Sequence, residues 1–382
     1  MKITAIEPVV VAVTERGDWV FVLVHTDAGV TGLGEASHSL NDALLIATLA
    51  SFEERLVGTS PLAIRETVQR LGSLQGGRIA HTALSAIEQA LWDILGQVLG
   101  VPIHVLFGGK LRETIRLYAN INRHVRDRSP EGFAAAASAA VSEGFTAIKL
   151  APFDELRAPD HVRTGPGAAW QPGVARVRAV REAIGPAVEL AVDCHGRMET
   201  SEAIQVGRAL EGCGLLWYEE PVPDTYPEQL MRVTQSVPMP TASAESLFGM
   251  ERFRPFLLDR VVDVLMPDVK HCGGLAELRA IAEAARLRHL RIAPHNPSGP
   301  VATVATAHVA STLSNFLILE VAWGEVNWRA RLLEPLEPVQ DGYLALSDRP
   351  GLGYSLNLEE VGAHRRETAR TGDSSKVVVG IR

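Results

Sequence analysis

VELAVDCH at residues 188–195 is a short apolar run closed by an acid, and LLWYEEP at 215–221 and PTASAES at 240–246 follow the same pattern. Asp193, Glu219 and Glu245 stand at the ends of these runs, with 219 − 193 and 245 − 219 both giving 26. That step is about one strand plus one helix, so a repeating β/α barrel carries all three carboxylates to one rim. Among 45 Asp and Glu an even triplet also arises by chance. What singles these acids out is that each terminates an apolar run and precedes a loop and a helix-like segment, where barrel sites lie. Three hard carboxylates with no competing cysteine or histidine cluster suit Mg²⁺ better than zinc.

Working outward, strands alternate with helices from about residue 115. The strands read as IRLYANIN, TAIKLA, VELAVD, LLWYEE, MPTASAE, VDVLMPD, LRIAPH and NFLILEV. Helices fill the gaps, such as PEGFAAAASAAVSEG with Gly144 as C-cap and SEAIQVGRALEGCG opening on Thr200 or Ser201 as N-cap. Eight strands in this order indicate a parallel barrel, with an open doubly wound sheet left open by pattern alone. Residues 1–36 read as a β-meander. In IAHTALSAIEQALWDILGQVLG, Leu84, Ile87, Leu91, Ile94 and Val98 recur at helical steps until Gly100 and Pro102. The expected division is an α+β unit at 1–115, a barrel at 116–340, and a Gly- and Pro-rich segment at 341–382 that packs back on the first unit.

Size and composition agree: 382 residues with 46% hydrophobic content accommodate a barrel of about 250 residues plus a smaller domain. The net charge of −8 is spread without acidic or basic blocks, which argues against a nucleic-acid or membrane-surface partner and for a small ligand. Cys194, Cys213 and Cys272 lie far apart, so a disulfide framework or zinc ribbon is not expected and a reducing compartment fits. The N-terminus lacks a signal peptide's apolar core, and no run approaches the ~20 apolar residues of a membrane span. The expectation is a soluble, cytoplasmic protein. One connection is abnormal: about twenty residues of Pro, Gly and charge around Trp170, between Ala151 and Gly173. This loop reads as a cover over the site, a contact with a neighbouring subunit, or a surface excursion without consequence.

Each strand ends in a polar or ionisable residue: Asn122, Lys149, Asp193 with His195, Glu219, Glu245, Asp268, His295 and Glu320. Accidental surface charges would scatter between both ends, whereas barrel sites draw on the C-terminal ends of several strands. Within LLWYEEP, alternation puts Glu219 on the face of Trp217 and Glu220 on the opposite one, which makes Glu219 the ligand. By the same rule Cys194 points away from the pocket. Lys270 shares a face with Asp268 and reads either as a pocket residue or as a solvated turn, and His271 reads as structural.

The series Lys149, Asp193-x-His195, Glu219-Glu220-Pro221, Glu245, PDVKHCGG and APHNPSGP, with GLGEA near the N-terminus, resembles the mandelate racemase subgroup of the enolase superfamily. The resemblance spans essentially the whole chain. It implies an α+β capping domain, completed by the C-terminal segment, over a modified TIM barrel of (β/α)7β type. It also implies one Mg²⁺, abstraction of a proton α to a carboxylate, and a symmetric homo-oligomer. Asp193, Glu219 and Glu245 would hold the metal, and Lys149 would add positive charge near the substrate carboxylate. His295 would be the general base, oriented by Asp268, with Glu320 beside it as a hydrogen-bonding or orienting group. Asn122 and Arg123 would contact substrate hydroxyls.

Two residues narrow the expected reaction. Racemases of this subgroup carry Lys-x-Lys on the second barrel strand, but here AIKLA puts Ala151 at the second position. His195 instead resembles the acid of galactonate and mannonate dehydratase-like members. A base on one side and an acid on the other describe loss of water from a sugar acid to give a 2-keto-3-deoxy acid. A sugar-acid or lactone cycloisomerase or epimerase is the second reading, and a metal-binding barrel without catalysis the third. Substrate stereochemistry would be read by the loop around Thr14 to Trp19 and by the loop near Trp170.

Overall fold

The computed structural model describes residues 1–15, 17–37, 41–72, 77–156 and 169–366. The chain opens with three antiparallel strands, β1 (Ile3–Thr14), β2 (Gly17–Thr26) and β3 (Thr31–Glu35), in the order of the expected meander. Four helices follow: α1 (Asp42–Leu56), α2 (Ile64–Gly72), α3 (Gly77–Leu99) and the short α4 (Ile103–Leu106). Alternate side chains of the sheet, including Val20, Val22 and Val24, pack with Leu84, Ile87, Leu91 and Ile94 of α3 in a core of their own. Val98, counted on the apolar stripe of this helix, is 44% exposed. Gly32 and Gly34 are required here, since a Cβ on either would lie 2.0 Å from a backbone oxygen of α3.

Eight strands and the helices between them form the body of the molecule. In chain order they are β4 (Thr114–Asn120), α5 (Pro130–Ser142), β5 (Ala147–Leu150), α6 (Gln171–Ile184), β6 (Glu189–Asp193) and α7 (Thr200–Ala209). There follow β7 (Leu215–Glu219), α8 (Pro227–Thr234), β8 (Thr241–Ser243), α9 (Met250–Asp259), β9 (Val264–Leu265), α10 (Val269–Cys272) and α11 (Leu275–Arg286). The series ends with β10 (Arg291–Ile292), α12 (Pro300–Ala310) and β11 (Leu319–Ala322). Ser129 caps α5 by accepting from Gly132 N, Pro130 starts that helix, and Gly144 at φ +90° ends it. At α7 the cap is Glu199, without a side-chain bond, one residue before the expected Thr200.

Strands β4 to β10 pair in sequence, all parallel, and β11 pairs with β4 on the other side. Ile292 of β10 bridges in parallel to Phe316, just ahead of β11, and this contact closes the ring. The architecture is a (β/α)7β barrel beside an α+β capping domain. Inside the barrel lie Tyr118, Ala147, Ala191, Trp217, Ala242, Val264, Met266, Ala293 and Ile318. A larger apolar shell fills the space between strands and helices, and Cys194 lies in that shell, turned away from the axis as expected.

Beyond β11 come β12 (Leu333–Glu334), β13 (Val339–Gln340), β14 (Tyr343–Ala345), β15 (Ser355–Leu356) and α13 (Leu358–His364). β14 pairs antiparallel with β4, Leu352 N donates to Asp93 of α3, and Arg365 bridges to Val11 of β1. The last segment therefore touches both barrel and capping domain. Its residues 367–382 lie outside the described residues, as do 157–168 of the long loop and Arg16 of the 14–19 loop.

Candidate active site

The barrel's inner layer fixes the site by period-two alternation. Two residues after the inward Tyr118, Ala147, Ala191, Trp217, Met266, Ala293 and Ile318 come Asn120, Lys149, Asp193, Glu219, Asp268, His295 and Glu320. These polar groups stand one step nearer the C-terminal rim on the same face. The eighth strand is the exception: Ala242 is followed at three residues by Glu245, because Ala244 adopts φ +91° and adds a position.

Asp193, Glu219 and Glu245 each bring a carboxylate oxygen to a common point, the three lying within 4.8 Å of one another. Lys149 Nζ is enclosed beside them, 2.9 Å from Glu219 Oε1, 2.9 Å from Glu320 Oε1 and 3.3 Å from Asp193 Oδ2. Burial alone would lower the Lys149 pKa, but Glu219 and Glu320 outweigh it and hold the ammonium well above its ordinary value. Glu219 is pushed well up, by burial first and then by Asp193, so one ammonium does not neutralise the cluster. Glu245 Oε2 is buried without a hydrogen bond, although His295 Nε2 is 3.2 Å away. Crowded hard oxygens, one of them orphaned, fit a divalent cation held by Asp193, Glu219 and Glu245.

A histidine meets each end of this triad. His295 places Nε2 toward Glu245 and Nδ1 2.8 Å from Asp268 Oδ2. Burial opposes ionisation of Asp268, yet Lys270, His271 and His295 hold its carboxyl well below the usual range. Lys270 is fully buried with Nζ 2.5 Å from Asp268 Oδ2, which rules out the solvated-turn reading. His271 is buried against Thr82 of α3. At the other end His195 sets Nε2 3.3 Å from Asp193 Oδ2 and Nδ1 2.6 Å from Asp154 Oδ1. Asp193 foremost raises its pKa well above the ordinary value.

The residues ascribed to substrate hydroxyls are engaged elsewhere. Asn122 donates to Asp154 Oδ2 at 3.1 Å and accepts from Arg128 Nη1 at 3.1 Å, and Arg123 Nη1 lies 2.6 Å from Glu325 Oε1. The residue that the first strand aims inward is Asn120, which donates to Glu320 Oε1 at 2.7 Å. Alternation from Tyr118 signals it, since Asn122 lies beyond the strand's end. Asp154 and Glu220 are the other residues the sequence did not single out. Glu220 takes φ +39°, and burial, then Glu245 and Asp224, push its pKa well up.

Residues 1–108 match the mandelate racemase / muconate lactonizing enzyme N-terminal domain, and residues 132–361 match the enolase C-terminal domain-like family. The chain belongs to the mandelate racemase subgroup of the enolase superfamily. Within this superfamily, a D-xylonate dehydratase from Haloferax volcanii is 35% identical over 363 residues, 91% of this chain and 86% of that protein. A D-galactonate dehydratase from Ralstonia pickettii is 34% identical over 348 residues, 89% of each chain. The solved structure of a mandelate racemase/muconate lactonizing enzyme-like protein from Rubrobacter xylanophilus gives a TM-score of 0.88 at 35% identity, covering 96% of this chain and 98% of that one. Among the described residues no helix is long and apolar enough to cross a membrane.

Proposed function

We propose that this enolase-superfamily enzyme is a Mg²⁺-dependent sugar-acid dehydratase acting on an aldonate or aldarate. The observation that carries the reading is the pair of imidazoles at the two ends of the carboxylate triad, each with Nδ1 on an aspartate and Nε2 toward the triad. Ala151, where a racemase needs its second lysine, and the dehydratase names of the relatives support it.

Bound Mg²⁺ supplies the positive charge that stabilises the substrate carboxylate as it takes up electron density. Lys149 adds a second fixed cation on the same side. His295, neutral at Nε2 and held through Nδ1 by Asp268, takes the C2 proton. The C2–H electron pair passes first into the substrate carboxylate, giving an enediolate that can be reprotonated at C2, and then returns to form the C2–C3 double bond as the C3–O bond breaks. His195 gives its Nε2 proton to the departing hydroxide, which leaves as water, and the resulting enol becomes the 2-keto-3-deoxy acid. Net, His295 gains one proton and His195 loses one. Glu320, fixed by Asn120 and by Asn296 N, keeps Lys149 in place. The proposal further takes a small-molecule carboxylate as substrate, with no nucleic-acid or membrane partner, a homo-oligomeric assembly and a cytoplasmic setting.

The test is proton NMR in D₂O with Mg²⁺ and a panel of pentonates, hexonates, aldarates and lactones. A 2-keto-3-deoxy product is expected from at least one. Deuterium at C2, or an isomer, without loss of water would overturn dehydration in favour of an epimerase or cycloisomerase.

A further inference from the structure

The acid and the base are built alike, but only the base has an obvious partner in sequence. His195 follows β6 in a left-handed conformation at φ +49°, and 35% of its side chain is exposed. Packing alone therefore does not fix the ring. Its Nδ1 meets Asp154 Oδ1 at 2.6 Å, a contact from the loop after the neighbouring strand β5. Asp154 is held in turn. Its Oδ2 accepts from Asn122 Nδ2 at 3.1 Å and lies 3.8 Å from Arg128 Nη2. Arg128 also donates to Asn122 Oδ1 at 3.1 Å and to Ala151 O at 2.7 Å. A connected chain thus runs Arg128, Asn122, Asp154, His195 across the ends of β4, β5 and β6.

An imidazole can release a proton from Nε2 in a defined direction only if Nδ1–H is held by an acceptor that fixes both tautomer and ring plane. We propose that Asp154 is the positioning residue of His195, holding its ring so that Nε2 faces the leaving hydroxyl, with Asn122 and Arg128 holding Asp154. The proposal rests on the assignment of His195 as the acid. It also gives Asn122 a role in holding Asp154, through the Nδ2–Oδ2 contact at 3.1 Å.

Asp154→Asn separates the two half-reactions. The substrate is the aldonate that the wild-type protein dehydrates, assayed with Mg²⁺ in D₂O. Formation of 2-keto-3-deoxy product should fall ~10²–10⁴-fold, the range for removing the carboxylate that orients an active-site histidine. His295 is untouched, so recovered substrate should carry deuterium at C2, and the ratio of exchange to elimination should rise at least tenfold. Asp154→Glu should recover part of the elimination. An unchanged product rate would overturn the proposal, as would exchange and elimination falling together with a higher KM. A crystal structure of Asp154→Asn reads the positioning directly: the His195 ring should turn or lose a single orientation, and a ring left in place would overturn the proposal. That readout holds even if wild-type protein exchanges C2 without losing water, an outcome that would sink the dehydratase reading alone.

Discussion

Asp268 Oδ2 accepts from two donors at once, Lys270 Nζ at 2.5 Å and His295 Nδ1 at 2.8 Å. Lys270 keeps that carboxylate charged in a fully buried place, and the carboxylate keeps the imidazole's Nδ1 protonated, which leaves Nε2 free of a proton. Asp268→Asn keeps the shape but removes the charge and lets the wrong tautomer form. It should lower kcat by ~10²–10⁴-fold. Unlike Asp154→Asn, it should suppress C2 exchange in D₂O along with elimination; retained exchange would show that His295 does not need Asp268. Legibility divides at the same scale. Lys149, Asp193, Glu219 and Glu320 lie within their strands, and Asp268 and His295, three residues past β9 and β10, keep the period of two, which is why alternation reads all six directly. Just past three strands, His195, Glu220 and Ala244 take φ +49°, +39° and +91°, and there alternation no longer tells where a side chain points. Asp154 went unnoticed because its partner comes from a different strand's loop, 41 residues away.

Helix α3 carries the contacts between elements that position the barrel helices under the capping sheet. Glu88 on α3 accepts from Leu275 N at 2.7 Å and Ala276 N at 3.0 Å, the opening of α11, as well as from Trp92 Nε1 at 2.7 Å. Glu35 on β3 does the same for α12 through Gly299 N and Ala302 N. A carboxylate at a helix N-terminus is favourable, but both are fully buried, and burial is the larger effect. It pushes Glu88 up to about 7 from 4.5. The folded state therefore holds its proton more tightly than the unfolded chain does, and stability falls as pH rises from 4.5 to about 7, by about 3 kcal/mol from this group. Glu88→Gln cannot accept from both amides and should be about 1–3 kcal/mol less stable at pH 4.5. Its deficit should shrink toward pH 7.5 because the glutamine does not ionise. Urea midpoints at the two pH values check this, and a deficit that widens with pH would refute it. The meander and the helical period of α3 were legible, but this buried ionic stitching was not, since Glu88 and Leu275 are 187 positions apart.

Across the whole molecule, the closed ring brings carboxylates from β6, β7 and the turn after β8 to one point above an apolar interior. Each is set there by strand pairing, which itself involves no ion. Without a cation the arrangement opposes folding, because burial first, then Asp193 and Glu245 raise the pKa of Glu219, burial and then Glu245 raise that of Glu220, and Lys149 answers only part of the charge. With Mg²⁺ the same crowding becomes binding energy, and at a hundred times its Kd the ion adds about 2.7 kcal/mol to the folded state. Glu245→Gln removes one of the mutually repelling carboxylates and one ligand together. Its thermal midpoint should therefore lie above that of the wild type in EDTA and below it in saturating Mg²⁺, where the wild type rises by several degrees. Calorimetry of both proteins in both buffers decides the matter. If the two curves keep the same order with and without Mg²⁺, either the repulsion or the ligand role assigned to Glu245 is wrong, and isothermal titration of Mg²⁺ into each protein tells which.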